Sequence, residues 1–590
     1  MIDPIVRSEV FPETELPDSR EILDRGKSLA KVWGVGHSEF LRGTGCRSEA
    51  DYKRLHIQSG RIMQHAQIGY RDHSRSLVAC SEIYESCLAR GVTIDRYGIC
   101  LDWSMGFPKD MRTNQMQGTG LILENTEDFV SLSNAAPVAP HYGDFVLGFP
   151  AALENTQHAL SAGATSIGNL GQYFTFRLPN WEDDVKTTES TVSALALMAA
   201  QPVDVLVHSN LDDGFAAVFH DLACALGAVL IEIYLVEDLI GGTVSHCFGH
   251  HYSTPVVRHA FHKALAKISP QPGTMVYGNT VAYQGTAAQN YASLASYLLV
   301  DIQAQRDTPS GHAINPVPVT ENQRIPDMDE IMDAQLFAHR MIEQSKTFQP
   351  VTDAPAVDHL VEKLIAGAEQ FKNNLMSGFE TSGIDVHDPF EMFLAIRRIG
   401  GKKLEQLYGP GQLDPRRQNR CSIVLSDTVR SLRQAVEMNL EQLEYHDAGK
   451  LFGKRLNIVV ATTDVHEHGK MLIEGIFERL DIAVVDGGIS TNPHTLAKTA
   501  EASHADAIAL STYNGVALTY FQQLKDELVE AGVDIPVLIG GRLNEIPSKS
   551  TTSLPKDVTS DLEELGAVVC HHFHDAMPCL IDLARKKENQ

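Results

Sequence analysis

Beyond the apolar run LNIVVATT the chain reads Asp464-Val465-His466-Glu467-His468-Gly469-Lys470. An imidazole in such a loop can give one ring nitrogen to a metal, provided an acceptor holds the other N–H and so fixes tautomer and ring plane. Asp464, two residues before His466, is placed to be that acceptor. Gly469 lets the backbone turn tightly, or run close to a flat ligand, before the helix-like MLIEGIFERL. His468 reads as a solvated neighbour.

These residues need a scaffold. From Leu456 onward the runs LNIVVATT, DIAVVDGG, ADAIALS, IPVLIGG and GAVVCHH alternate with helical segments. That pattern predicts a small doubly wound domain, in which ligands sit beyond the carboxyl ends of the strands. Ser511-Thr512-Tyr513 and Gly540-Gly541 fall at two more of those ends.

The D-x-H-x-x-G loop, the later serine and the following glycine pair, in that order, resemble the cobalamin-binding domain shared by methionine synthase and the adenosylcobalamin mutases. The resemblance implies that His466 ligates cobalt after displacing the cofactor's nucleotide base, with Asp464 steadying it. It also implies that the displaced tail lies beside the sheet, contacted by Ser511 with Thr512 and by Gly540-Gly541. The family's serine motif is S-x-L, and this chain has Tyr513 at its third position.

Upstream, between about Gln64 and Lys346, eight short apolar runs recur: GVTIDRYGICLDW, GDFVLGF, ATSIGN, PVDVLVHSN, AVLIEIYLV, GGTVSHCFG, GTMVYGN and ASYLLVDI. Amphipathic segments such as ENTQHALSA and TPVVRHAFHKALAKI lie between them. The alternation predicts a (β/α)8, TIM-like barrel, although an open doubly wound sheet has the same period. The expected organisation is an N-terminal extension (1–60), a catalytic barrel (61–346), a helical extension and linker (347–420) and the cobalamin-binding domain with its leading helix (421–590).

That order resembles a fusion of the two glutamate mutase (methylaspartate mutase) subunits. Gly91-Val92-Thr93-Ile94-Asp95-Arg96-Tyr97 is similar to the family's T-I-D-x-Y strand, and Gly311-His312-Ala313-Ile314-Asn315-Pro316 to its last-strand segment. Gly163-Ala164-Thr165-Ser166 precedes a family active-site stretch. Glutamate mutase grips its dicarboxylate with three arginines; here only Arg71 falls near one of those positions, and PVAPHYGDFVLGFP, where another belongs, has none. Guanidinium forks are the expected carboxylate clamps, so the departure points to an altered substrate. Arg75, Arg96 or Arg177 would have to rebuild the grip. The expected catalytic set is Arg71, Asp95, Arg96, His208 and His312, with His246, His250, His251, Asp102, Asp212, Asp213 and Glu232 as further candidates.

The implied activity is that of an isomerase: an adenosylcobalamin-dependent radical mutase acting on a small amino or carboxylic acid. A corrinoid-dependent methyltransferase is the alternative, disfavoured because that class places a helical bundle directly before the cobalamin domain. A carrier or sensor would leave the barrel without a purpose.

Bulk properties narrow the partners. Lys+Arg 49 against Asp+Glu 75 gives −26, which repels nucleic-acid phosphates. The 9 cysteines include no CxxC pair, so they read as reduced thiols of a cytoplasmic protein and exclude a three-cysteine iron–sulfur cluster. No apolar run is long enough for a membrane span, and the N-terminus is acidic and broken by proline. A homodimer is expected by analogy with the family.

Overall fold

The computed structural model describes every residue except 1–4, 113–117, 179–180, 212–218, 251–253, 284, 349, 415–418, 444–448, 465–466, 514, 548–553 and 589–590. Two units divide the chain: Met1–Thr175 with Glu182–Asp427, and Thr428–Gln590 with the short segment Phe176–Trp181.

In the first unit six parallel strands pair in sequence order: β1 (His65–Ile68), β2 (Arg96–Ile99), β3 (Ala139–Tyr142), β4 (Ser166–Ile167), β5 (Leu206–Asn210) and β6 (Thr243–Cys247). A parallel pair, β7 (Met275–Val276) and β8 (Ala313–Ile314), follows. Parallel bridges Phe248↔Val276 and Gln64↔Ile314 connect that pair to both edges of the six-stranded sheet.

Three of the apolar runs are not strands. GDFVLGF is a buried turn after β3, with Val146, Leu147 and Phe149 fully covered. AVLIEIYLV belongs to the helix Leu222–Ile233 and the π-helical turn Tyr234–Ile240, and ASYLLVDI to the helix Ala287–Asp307. AVLIEIYLV is buried or part-buried at every position, which erases the periodicity that separates helix from strand, while ASYLLVDI keeps an exposed Ser296.

The N-terminal segment is built into this unit. The helix Glu49–Ser59 starts at Ser48, whose side chain accepts from the Asp51 N–H, and stops at Gly60 in the left-handed region. The helices Ala354–Thr381, Pro389–Ile399 and Gly401–Tyr408 share the unit's main hydrophobic core through Leu364, Phe371, Phe393 and Leu404. Arg397 ties them in further, donating to Asp184 at 2.6 Å.

The helix Asp427–Glu441 leads into the second unit, which contains a parallel sheet of β9 (Asn457–Thr462), β10 (Ala483–Asp486), β11 (Ala507–Thr512), β12 (Val537–Gly541) and β13 (Val568–Cys570). Their order is β10-β9-β11-β12-β13. Every residue of β11 is buried, including Ser511 and Thr512 at its end, as expected of a strand covered on both faces. The order reverses between β9 and β11, and ligands in such sheets occupy the crevice beyond the carboxyl ends at that point.

No helix among the described residues is long and apolar enough to cross a membrane.

Candidate functional site

In the second unit the singled-out residues meet at the reversal point. Thr463 N–H donates to the Ser511 carbonyl at 3.0 Å, drawing the end of β9 onto β11. Asp464 is buried, and its Oδ2 accepts from the Tyr513 N–H at 2.7 Å and the Thr463 hydroxyl at 3.2 Å. The aspartate is thus locked to the strand that carries Ser511. The Thr462 hydroxyl donates to the Asp464 carbonyl and accepts from the Ser490 N–H. Val465 and His466 lie outside the described residues.

Glycines line the crevice because side chains would not fit. A β-carbon at Gly469 would lie 2.1 Å from Ser511 Oγ, and one at Gly541 2.3 Å from the Thr512 carbonyl. Gly541 also has φ +105, a conformation L side chains rarely adopt. A β-carbon at Gly540 would approach the Cys570 carbonyl at 2.9 Å. Thr512 is 2 % exposed, yet its Oγ1 has no hydrogen-bond partner among the described residues. Around this floor, Arg542 lies over the Tyr513 ring at 4.2 Å, and Lys470 pairs with Glu474 and Asp486. His468 is exposed at the start of the helix His468–Arg479.

A crevice with a glycine floor, a pinned carboxylate and an unsatisfied buried hydroxyl fits a large flat ligand with polar edges. Residues 454–558 match the family described as the B12 binding domain. This chain carries a B12-binding domain at its C-terminus. Among solved structures, the chain is similar to a novel cobalamin-binding protein from Desulfitobacterium hafniense DCB-2, with 17% identity over 26% of this chain and 80% of that one and a TM-score of 0.18.

In the first unit the structure distributes the expected catalytic residues over both edges of the sheet. Arg71 follows β1 at its carboxyl end, half-buried, and donates to the Gly118 carbonyl at 2.6 Å. Asp95 precedes β2 at the amino edge, where Arg61, the Tyr52 hydroxyl and the Gln64 N–H all bind its carboxylate. His312 precedes β8 at the same edge, with Nδ1 on Ser310 and Nε2 on the His246 carbonyl. A cavity of about 230 Å³ opens there beside His246 and His312. Arg71, Asp95 and His312 therefore do not form one constellation.

Arg96 and His208 lie between the edges. Arg96 is fully buried: Nε donates to Glu49 at 2.9 Å, Nη2 to Ser166 Oγ at 3.0 Å, and Nη1 contacts His65 Nδ1. Lys53, one turn after Glu49, donates to the Thr274 and Gly311 carbonyls, and burial pushes its ammonium down to about 8. His208 meets Thr274 Oγ1 at 2.9 Å and stacks edge-on with His141, ring centroids 4.3 Å apart. Burial, reinforced by the Arg96 charge, holds His65, His141 and His208 well below the usual imidazole range, so these rings are neutral. Arg96 is thus the centre of a buried charge network rather than an open carboxylate clamp.

The remaining candidates divide similarly. Asp102 accepts backbone N–H groups of Ser104, Gly118 and Gly120. Glu232 is fully buried, accepting from Ser209 Oγ and contacting His246 Nε2 at 2.9 Å. His250 stacks on Tyr277 at the carboxyl end of β6. Arg75 pairs with Asp327, and Arg177 is exposed. Asp212, Asp213 and His251 lie outside the described residues. Among the described residues no group of three or more His, Cys, Asp and Glu could hold a metal ion.

Asp144, absent from the sequence-derived set, sits two residues beyond β3 at the carboxyl edge. It escaped because GDFVLGF reads as a strand beginning at Gly143, whereas residues 144–148 form a turn.

Proposed function

We propose that this chain is an adenosylcobalamin-dependent radical isomerase, a carbon-skeleton mutase acting on a small amino or carboxylic acid. In this reading the first unit is a (β/α)8 barrel closed by the bridges Gln64↔Ile314 and Phe248↔Val276, and substrate binds at the carboxyl edge of its strands. His466, steadied by Asp464, is the cobalt ligand, and Gly469, Ser511, Thr512, Gly540 and Gly541 receive the rest of the cofactor. When bound, adenosylcobalamin supplies an organic radical by homolysis of its cobalt–carbon bond. The chain's own part is to orient the acid through Arg71, to keep the neutral histidines from adding charge beneath it, and to exclude water.

The supporting observation is what leads into the B12 domain. The helix Asp427–Glu441 leads into it, whereas the helices Ala354–Thr381, Pro389–Ile399 and Gly401–Tyr408 belong to the core of the first unit. A corrinoid methyltransferase would place a helical bundle at that point.

The test is anaerobic electron paramagnetic resonance of the full chain reconstituted with adenosylcobalamin and frozen with candidate acids. A substrate-dependent signal with nitrogen splitting, lost in His466→Ala, is the expected result. Binding of methylcobalamin with methyl transfer and no paramagnetic species establishes the methyltransferase instead.

A further inference from the structure

Tyr513 stands where the resembled family's serine motif has leucine, and it is 40 % exposed beside the crevice of the B12 domain. Leucine offers no face to a cation, whereas a tyrosine ring does. Here the face is taken: Arg542 Cζ lies 4.2 Å from the Tyr513 ring centroid.

Strand register puts this pair on the side of the sheet that matters. Across β11 and β12, Ser511 pairs with Gly540 and Thr512 with Gly541, and the Arg542 N–H continues the ladder by donating to the Thr512 carbonyl at 2.8 Å. Alternation carried one residue past the strand ends therefore sets Tyr513 and Arg542 on the side of Ser511, the side that Gly469 crowds. The Tyr513 N–H is held by Asp464 Oδ2, so both members of the pair have anchored backbones.

The guanidinium itself has no such anchor. Among the described residues no carboxylate or other acceptor takes its N–H groups, whereas Lys470, at the same crevice, is neutralised by Glu474 and Asp486. In a chain of net charge −26, a planar fork of donors laid on an aromatic platform and left without a counter-ion suits an anionic ligand. Cobalamin has one such group on its periphery: the corrin's side chains are neutral amides, and the negative charge sits on the phosphodiester that leads to the nucleotide base.

We propose that Arg542, carried on Tyr513, binds the phosphodiester of the cobalamin tail, so that the chain selects corrinoids with a phosphate-bearing tail over those that lack it. The inference rests on the B12 domain and on the displaced tail lying beside β11 and β12; it is independent of the cofactor's upper ligand.

The experiment is absorbance titration of the full chain, in chloride buffer, with aquocobinamide, aquocobinamide phosphate and hydroxocobalamin. The two cobinamides differ by the phosphate alone, and neither has a base for His466 to displace. Cobinamide phosphate is expected to bind about tenfold or more tighter than cobinamide, the discrimination that a charge-assisted hydrogen bond provides. Much of that advantage should vanish at about 1 M salt, where charges are screened within roughly 3 Å. Arg542→Gln should collapse the preference while leaving cobinamide affinity and the melting temperature of the free protein nearly unchanged, and Tyr513→Leu should remove part of it. A preference that survives Arg542→Gln overturns the proposal. Equal affinity of the wild type for the two cobinamides, with hydroxocobalamin still bound, overturns the role of Arg542 and leaves the cobalamin site standing; failure of all three corrinoids to bind overturns both.

Discussion

Gly469 stands so close to Ser511 that a β-carbon on the glycine would lie 2.1 Å from the serine hydroxyl and 3.1 Å from its own β-carbon. The loop after β9 and the end of β11 thus share one layer of space, and a methyl group added on one side has to be removed on the other. Gly469→Ala is expected to weaken cobalamin binding by about tenfold or more, since overpacking at such a contact costs roughly 1–3 kcal/mol. The double variant Gly469→Ala, Ser511→Ala should recover part of the loss. Absorbance titration with hydroxocobalamin checks both, and equal affinity of the single variant and the wild type would show that the glycine serves no ligand.

Thr512 makes a second prediction with the opposite signature in the free protein. Its hydroxyl is buried and has no partner among the described residues, so Thr512→Val removes an unsatisfied group at almost constant shape. The apo form should melt at the same temperature or slightly higher, while cobalamin affinity falls several-fold. A drop in apo stability with unchanged cobalamin affinity would mark the hydroxyl as structural.

The second unit was legible in the sequence because its central strands, β9 and β11, are buried almost throughout. LNIVVATT, ADAIALS and IPVLIGG are mostly apolar runs ending in polar or glycine residues, and they became β9, β11 and β12. In the first unit the signal inverts. The strands HAQI and APHY carry His65, Gln67 and His141 toward a polar network, so they look like loops, while the runs richest in Leu, Ile and Val are helices or a buried turn. The helix Glu49–Ser59 reads as a charged surface segment, yet Glu49 and Lys53 are each almost completely buried against groups more than forty residues away. No periodicity in its own sequence announces that pairing.

That helix carries the third prediction. Glu49 neutralises two fully buried cations, bonding Arg96 at 2.9 Å and lying 3.6 Å from the Lys53 ammonium. Glu49→Gln leaves both charges without a counter-ion, a change that costs about 3–5 kcal/mol in buried pairs. The thermal transition of the first unit should fall by many degrees, whereas the surface variant Arg42→Ala, which loses only an exposed pair with Glu39, should melt like the wild type. Similar melting of Glu49→Gln and Arg42→Ala would contradict the buried network.

Glu405 supplies a pH dependence. Its Oε2 accepts the His220 N–H at 2.7 Å, and burial, aided by the nearby Asp221 charge, pushes its carboxyl up to about 8. A folded-state pKa above the unfolded one means that its stabilising share is fully present below the ordinary carboxyl range and is lost as pH rises toward 8. The buried histidines act in the other direction: held neutral when folded, they favour the native state above about pH 6.5 and oppose it as pH falls. Comparing Glu405→Gln with the wild type cancels that second effect. The amide oxygen can keep the bond to His220 but cannot ionise, so the variant's melting temperature should exceed the wild type's by little near pH 5 and by several degrees at pH 8. Melting curves recorded across that range decide it, and a difference that stays constant from pH 5 to pH 8 would mean that Glu405 does not titrate there.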